Sequence, residues 1–266
     1  MPVIERPDAA RISWEPDGPE DGPAVLLLMG LAYPAAMWFR LVPALAESYR
    51  VIRIDNRGAG RTGDVPGAPY TVETMAADSL AVLDAADVDT AHIVGISMGG
   101  LIAQEIVLTA PQRARSLCLI ATHPGIAHAV MNPQAMAMLA QRGQMTPQEA
   151  AEASIPYDYA PETPRERIQE DWAVRFPLAA SNEGCVAQVV GSSRWDGYGR
   201  MEGITALTRV VHGELDALVP PENGRIIAGR IPGAELVMIP NANHVLMTDQ
   251  PEHVSKVLLE WLGRNR

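Results

Sequence analysis

The chain has 266 residues, 47% hydrophobic and 20% charged, with a formal net charge of −11. That length and balance suit one soluble α/β domain with an insertion and exclude a disordered or fibrous chain. The acidic surface repels nucleic-acid phosphates and anionic lipid headgroups, so neither nucleic acid nor membrane is expected as a partner.

Two cysteines occur, Cys118 in an apolar run and Cys185 in a polar one. They are too few for a disulfide framework and are expected as free thiols of a reducing compartment. The opening Met1-Pro2-Val3-Ile4-Glu5 lacks a basic patch followed by an apolar stretch, and no later apolar run approaches the length of a membrane span. The expected location is cytoplasmic.

Taken in chain order, residues 11–15 alternate in polarity with Ile12 and Trp14 on one side. Compact apolar runs follow at 24–29, 51–54, 92–96 and 116–121, each bounded by Gly, Pro or charge. These are the marks of buried parallel strands. Helical patterns lie between them at 35–47, 73–87 and 98–110, the last stopped by Pro111. Such alternation predicts a doubly wound, mostly parallel α/β sheet.

The rhythm breaks after about Gly125 and resumes near Leu207. Within the break, Asn132-Pro133, Thr146-Pro147 and Thr163-Pro164 pair a helix-capping residue with a proline suited to the first turn. Glu149 and Glu166 complete two capping boxes. Residues 126–204 are therefore predicted to form a helical cap inserted into a core made of 1–125 and 205–266. Strands resume at 207–212 and 235–239. Val254, Val257, Leu258, Trp261 and Leu262 then recur at helical spacing, which predicts a closing helix docked on the sheet.

Chemistry concentrates at Gly95-Ile96-Ser97-Met98-Gly99. A nucleophile on a sharp strand-to-helix turn crowds its neighbours, and Gly95 and Gly99 relieve that crowding. The following helix directs its positive end at Ser97. A serine hydroxyl at neutral pH needs a base and an acid behind that base. Asp216 follows the strand that ends at His212, and His244 follows the strand that ends at Ile239, both at strand C-terminal ends.

Residues 212–221, His-Gly-Glu-Leu-Asp-Ala-Leu-Val-Pro-Pro, resemble the acid loop of α/β-hydrolases. Residues 241–244, Asn-Ala-Asn-His, resemble their histidine loop, and 55–62, Asp-Asn-Arg-Gly-Ala-Gly-Arg-Thr, resemble a signature that follows the third core strand. The resemblance covers nearly the whole chain outside the insertion and is strongest to small esterases, lactonases and cofactor-free haloperoxidase-like members. It implies Ser97 as nucleophile, Asp216 as acid and His244 as base, with no cofactor. In that family the oxyanion hole combines two main-chain N–H groups, which map onto Met98 and Leu31. Met29 stands where the family usually has histidine.

The resemblance implies hydrolysis of a small, fairly apolar carboxylic ester or lactone through an acyl-enzyme. Thioesterase, carbon–carbon hydrolase and perhydrolase activities use the same triad and stay open, as does a non-catalytic ligand-binding member. A serine at the turn argues against chemistry built on an aspartate nucleophile.

Met131, Met136, Met138 and Met145, with Trp172, Trp195 and Tyr198, are candidates for an apolar substrate pocket, as is His123. Of these, His123, Met136, Trp195 and Tyr198 are the expected substrate contacts. His92 and His212 are expected to be structural and His253 solvated. Glu214 and Asp249 read as surface carboxylates, and Asp55 and Arg57 as a structural turn. No His and Cys spacing suggests a metal, and no Gly-x-Gly-x-x-Gly follows a strand to suggest a dinucleotide.

Overall fold

The computed structural model describes residues 1–141 and 144–265. Strands β1 (Val3–Glu5), β2 (Arg11–Asp17), β3 (Ala24–Leu28), β4 (Arg50–Ile54), β5 (Ala91–Ile96), β6 (Ala114–Ile120), β7 (Thr208–Gly213) and β8 (Glu235–Ile239) build one sheet. Their order is β1-β2-β4-β3-β5-β6-β7-β8. The pairs β1 with β2 and β2 with β4 are antiparallel, and every later pair is parallel. This is the mostly parallel, doubly wound sheet expected from the alternation of elements.

Helices are α1 (Val42–Leu45), α2 (Val72–Ala85), α3 (Met98–Thr109), α4 (Pro133–Gln141), α5 (Pro147–Asp158), α6 (Arg165–Arg175), α7 (Asn182–Ser193), α8 (Glu222–Arg230), α9 (Leu246–Asp249) and α10 (Pro251–Arg264). The strand period of two sorts β3 between two cores. Leu26 and Leu28 pack with Met75 and Val82 of α2 and Leu101 and Ile102 of α3. Val25 and Leu27 pack on the opposite face with Trp38, Leu41 and the α10 residues Trp261 and Leu262. Both faces are covered, so the central strands read as continuous apolar runs.

The parallel register sets the position of the site. Leu28 lies opposite both Ile54 and Gly95, Ile96 opposite Ile120, Ile120 opposite Val211, and Gly213 opposite Ile239. The C-terminal ends of the parallel strands β3 to β8 therefore fall on one edge. The segments carrying Leu31, Ser97, His123, Asp216 and His244 all leave the sheet there.

Two local expectations are corrected, and one strand was not expected. The helix expected at 35–47 is a 3-10 turn, Ala35–Arg40, followed by the short α1. Pro43 lacks the N–H that a continuous helix would direct at Phe39. The box at Thr146 forms, with its hydroxyl accepting from the Glu149 N–H and the Glu149 carboxylate accepting from the Thr146 N–H. The box at Thr163 does not: its hydroxyl donates to Asp249 Oδ1 at 2.6 Å, and Pro164 opens α6 without a side-chain cap. A tertiary partner outcompeted the local one. β1 was not expected, being a three-residue edge strand too short to show a period.

Between β6 and β7 the chain runs through α4 to α7. The two ends of this stretch meet where Gly125 bridges Asp196 and the Gly197 N–H donates to Pro124 O at 3.0 Å. No helix among the described residues is long and apolar enough to cross a membrane.

Candidate active site

Ser97 ends β5 and caps α3 with φ 54° and ψ −120°, a conformation rare outside glycine. The glycines two positions to either side permit the turn by having no side chain. A Cβ on Gly95 would lie 2.1 Å from Gly99 O, and one on Gly99 would lie 2.1 Å from Leu28 O. The Ser97 N–H donates to Ile120 O at 2.9 Å, and Ser97 O accepts from the Gly100 N–H at 2.8 Å and from the Thr122 hydroxyl at 2.7 Å. The serine backbone is thus held from both neighbouring elements, with the positive end of α3 directly behind it.

Asp216 and His244 meet as expected. His244 Nδ1 lies 3.0 Å from Asp216 Oδ2, and both side chains are buried. The other carboxylate oxygen accepts from the Leu218 and Val219 N–H groups at 3.0 and 2.8 Å. His212 Nε2 approaches Oδ2 at 3.3 Å and lies 2.8 Å from Val219 O, a structural role. Burial pushes the Asp216 carboxyl up, but the His244 charge and the hydrogen bonds from His212 and His244 outweigh it and hold it below its ordinary value. For His244, burial pushes down, and the Asp216 charge and hydrogen bond more than offset it, so the imidazole sits above its usual value. The pair favours carboxylate beside imidazolium, which is what a base receiving a proton requires.

Ser97 and His244 both line a cavity of about 540 Å³. Among the described residues no hydrogen bond joins them; such contacts commonly tighten only around substrate. Leu31 and Met98 line the same cavity, and among the described residues neither main-chain N–H has a protein acceptor. The loop bearing Leu31 is anchored without the usual histidine: Asn56 Nδ2 donates to Met29 O at 3.1 Å. The next residue, Ala32, has φ 62°, and its N–H donates to Gln188 Oε1 of α7 at 2.7 Å. Gln188 Nε2 donates in turn to Arg57 O at 2.6 Å.

Truncating Gln188 leaves two buried main-chain groups unpaired, each costing about 1–3 kcal/mol. Gln188→Ala is therefore expected to lower the unfolding free energy by roughly 2–6 kcal/mol, checked by urea denaturation; a change within error of wild type would show the clamp to be dispensable.

The cavity wall is rich in methionine. Met29, Met37, Met98, Met131, Met136, Met138, Met145 and Met247 all contribute, giving a flexible apolar lining. His123 lines it too. Its Nδ1 accepts from the Gly125 N–H at 3.2 Å, and burial, reinforced by the His244 charge, pushes its pKa down to about 4. It is therefore neutral at pH 7, with the ring proton on Nε2.

Two expected substrate contacts are not among the lining residues. Trp195 is buried in the core and donates its Nε1–H to Glu105 Oε2 at 2.8 Å. Tyr198 stacks on His128 with ring centroids 4.0 Å apart. Trp172 is also elsewhere, packed with Phe176.

The remaining assignments divide. His92 Nδ1 lies 2.8 Å from Ser116 Oγ inside the sheet, and His253 and Glu214 are exposed. Asp55 is a structural turn, accepting from the Ala35 and Arg61 N–H groups at 2.7 and 2.9 Å. Arg57 is buried against Asp78. Asp249 is not a surface carboxylate: it is buried and accepts from the Asn243 N–H at 2.7 Å, the Ala160 N–H at 3.2 Å and the Thr163 hydroxyl. Cys118 is a buried free thiol, with burial pushing its pKa up to about 12.

Sequence reasoning missed Asn243. Its Oδ1 accepts from the Ala217 and His244 N–H groups at 2.8 and 2.9 Å, and its Nδ2 donates to Pro156 O and Tyr159 O. One amide joins the acid loop, the histidine loop and α5. Its place beside His244 was the only signal available.

A family model described as alpha/beta hydrolase fold matches residues 23–251. The chain belongs to that family. It is 30% identical over 249 residues to BpoC of Mycobacterium tuberculosis, a protein named as a candidate non-heme bromoperoxidase, covering 91% of this chain and 94% of the relative. Among solved structures, a hydrolase from Pseudomonas aeruginosa PA01 superposes with a TM-score of 0.86 at 28% identity, covering 98% of both chains. Est816, described as an N-acyl homoserine lactone degrading enzyme, superposes with a TM-score of 0.84 at 28% identity, covering 98% of this chain and 100% of that one.

Proposed function

We propose that this α/β-hydrolase is a serine hydrolase that cleaves a small, fairly apolar carboxylic ester or lactone through an acyl-enzyme. The observation that carries the reading is the His244–Asp216 pair at 3.0 Å, with His244 and Ser97 lining one cavity. Ser97 Oγ attacks the carbonyl while His244 takes its proton, and Asp216 holds the imidazole in the tautomer that receives it. The N–H groups of Met98 and Leu31 stabilise the tetrahedral oxyanion. His244 returns the proton to the leaving alkoxide, then activates the water that releases the acid. Residues 126–204 act as a cap that shapes the acyl pocket and excludes bulk water. The similarity to Est816 supports keeping lactones beside esters. The reaction requires no cofactor and is expected in the cytoplasm.

A panel of p-nitrophenyl esters of rising chain length, run beside a set of lactones, tests the substrate class. Each methylene buried on the methionine wall is worth roughly 0.8 kcal/mol. kcat/KM is therefore expected to rise by up to about fourfold per carbon until the cavity is filled. A flat profile from acetate upward would reject an apolar acyl pocket.

A further inference from the structure

Arg175, near the end of α6, places a cation on the wall of this cavity. Its residue is 6% exposed. The guanidinium lies over the Tyr33 ring, 4.1 Å from the centroid, and Nη1 donates to Tyr33 Oη at 2.9 Å. The Tyr33 hydroxyl passes the polarity on, donating to Asp158 Oδ2 at 3.1 Å, which also accepts from Ser154 Oγ at 2.7 Å. Among the described residues no ion pair involves Arg175, and beside the Nη1 bond to Tyr33 its Nε and Nη2 groups have no protein acceptor.

A guanidinium carries five donors in a planar fork matched to a carboxylate. Here one donor is used, and the rest belong to a group set in a wall otherwise rich in methionine. Burying a charge away from water is costly unless an acceptor meets it. Asp158 balances the charge only through Tyr33, and its Oδ2 already holds two donors. The open edge of the fork is shaped for an acceptor pair brought in from outside.

We propose that Arg175 forms a carboxylate subsite, so that the substrate is an ester or lactone with an apolar middle and an acidic far end. This deepens the hydrolase reading above and rests on it. Tyr33 and Asp158 are positioning residues that hold the fork flat against the wall. Ester cleavage at Ser97 and carboxylate binding at Arg175 are separate events, so they are tested separately.

The kinetic arm compares p-nitrophenyl esters of monoacids with half-esters of the matching diacids, from four to eight carbons, on wild type, Arg175→Met and Arg175→Lys. Wild type is expected to prefer the best diacid half-ester over its monoacid partner by roughly ten- to a hundredfold in kcat/KM, the size of one hydrogen bond to a charged group. That ratio is expected to fall to about one in Arg175→Met and to be partly kept in Arg175→Lys. A wild-type ratio of one or less at every length, or a ratio unchanged in a folded Arg175→Met, overturns the subsite.

The binding arm uses calorimetry of the Ser97→Ala protein with monomethyl diacid esters and the matching methyl esters. It needs no turnover. Affinity at least roughly tenfold higher for the acidic ligand supports the subsite even where no ester is hydrolysed, an outcome that would sink the hydrolase reading alone. Equal affinities overturn the subsite whatever the activity.

Discussion

Ser97→Ala is expected to lower kcat on the best p-nitrophenyl ester by about a millionfold, the loss seen when the nucleophile of such a triad is removed. The substitution deletes one oxygen and keeps the backbone. The serine amide and carbonyl are held by Ile120, Gly100 and Thr122, and none of those bonds involves the hydroxyl. Folding is therefore expected to survive, and thermal unfolding should show a native transition. Residual turnover above solution would come from the Met98 and Leu31 donors and from substrate positioning. A loss smaller than tenfold would place the nucleophile elsewhere in the cavity.

Asp216→Asn is expected to cost about ten-thousandfold in kcat with little change in shape. The amide fills the same space but removes the charge that orients His244 Nδ1. It also has a signed effect on pH. In the proposed mechanism His244 acts as base when neutral, so kcat/KM is expected to rise with pH as the imidazole loses its proton. Asp216 raises the His244 pKa, which places that rise above the ordinary imidazole value. Removing the charge lets the His244 pKa drop, so the acid limb of kcat/KM moves to lower pH while the plateau falls. Turnover within a few-fold of wild type, with the limb unmoved, would reduce Asp216 to a structural role.

The parts of this site that could be read in the sequence are those whose cause is local. Gly95, Ser97 and Gly99 are neighbours on one turn, and the close approaches to Gly99 O and Leu28 O are the reason small residues are needed there. Asp216 and His244 stand just beyond recognisable strands, and the parallel register carries them to the edge where Ser97 emerges. Residues whose partners come from distant elements were not legible. Trp195 looked like a pocket aromatic, but Glu105, ninety positions away, accepts its indole N–H. Asp249 looked solvated, yet Asn243, Ala160 and Thr163 surround it. Gln188 and Arg175 carry no local signature, because the loop at Ala32 and the ring of Tyr33 that give them meaning lie over a hundred residues earlier. Met131, Met136, Met138 and Met145 were legible as pocket candidates because several apolar, flexible side chains recur in one stretch; their convergence with Met29, Met37, Met98 and Met247 required the fold.

The central claim is that Ser97 is an activated nucleophile, and covalent labelling tests it most directly. Wild type treated with a fluorophosphonate is expected to gain one adduct, which peptide mass spectrometry places on Ser97, while Ser97→Ala gains none under the same conditions. An unlabelled wild type, or equal labelling of both proteins, would contradict the assignment.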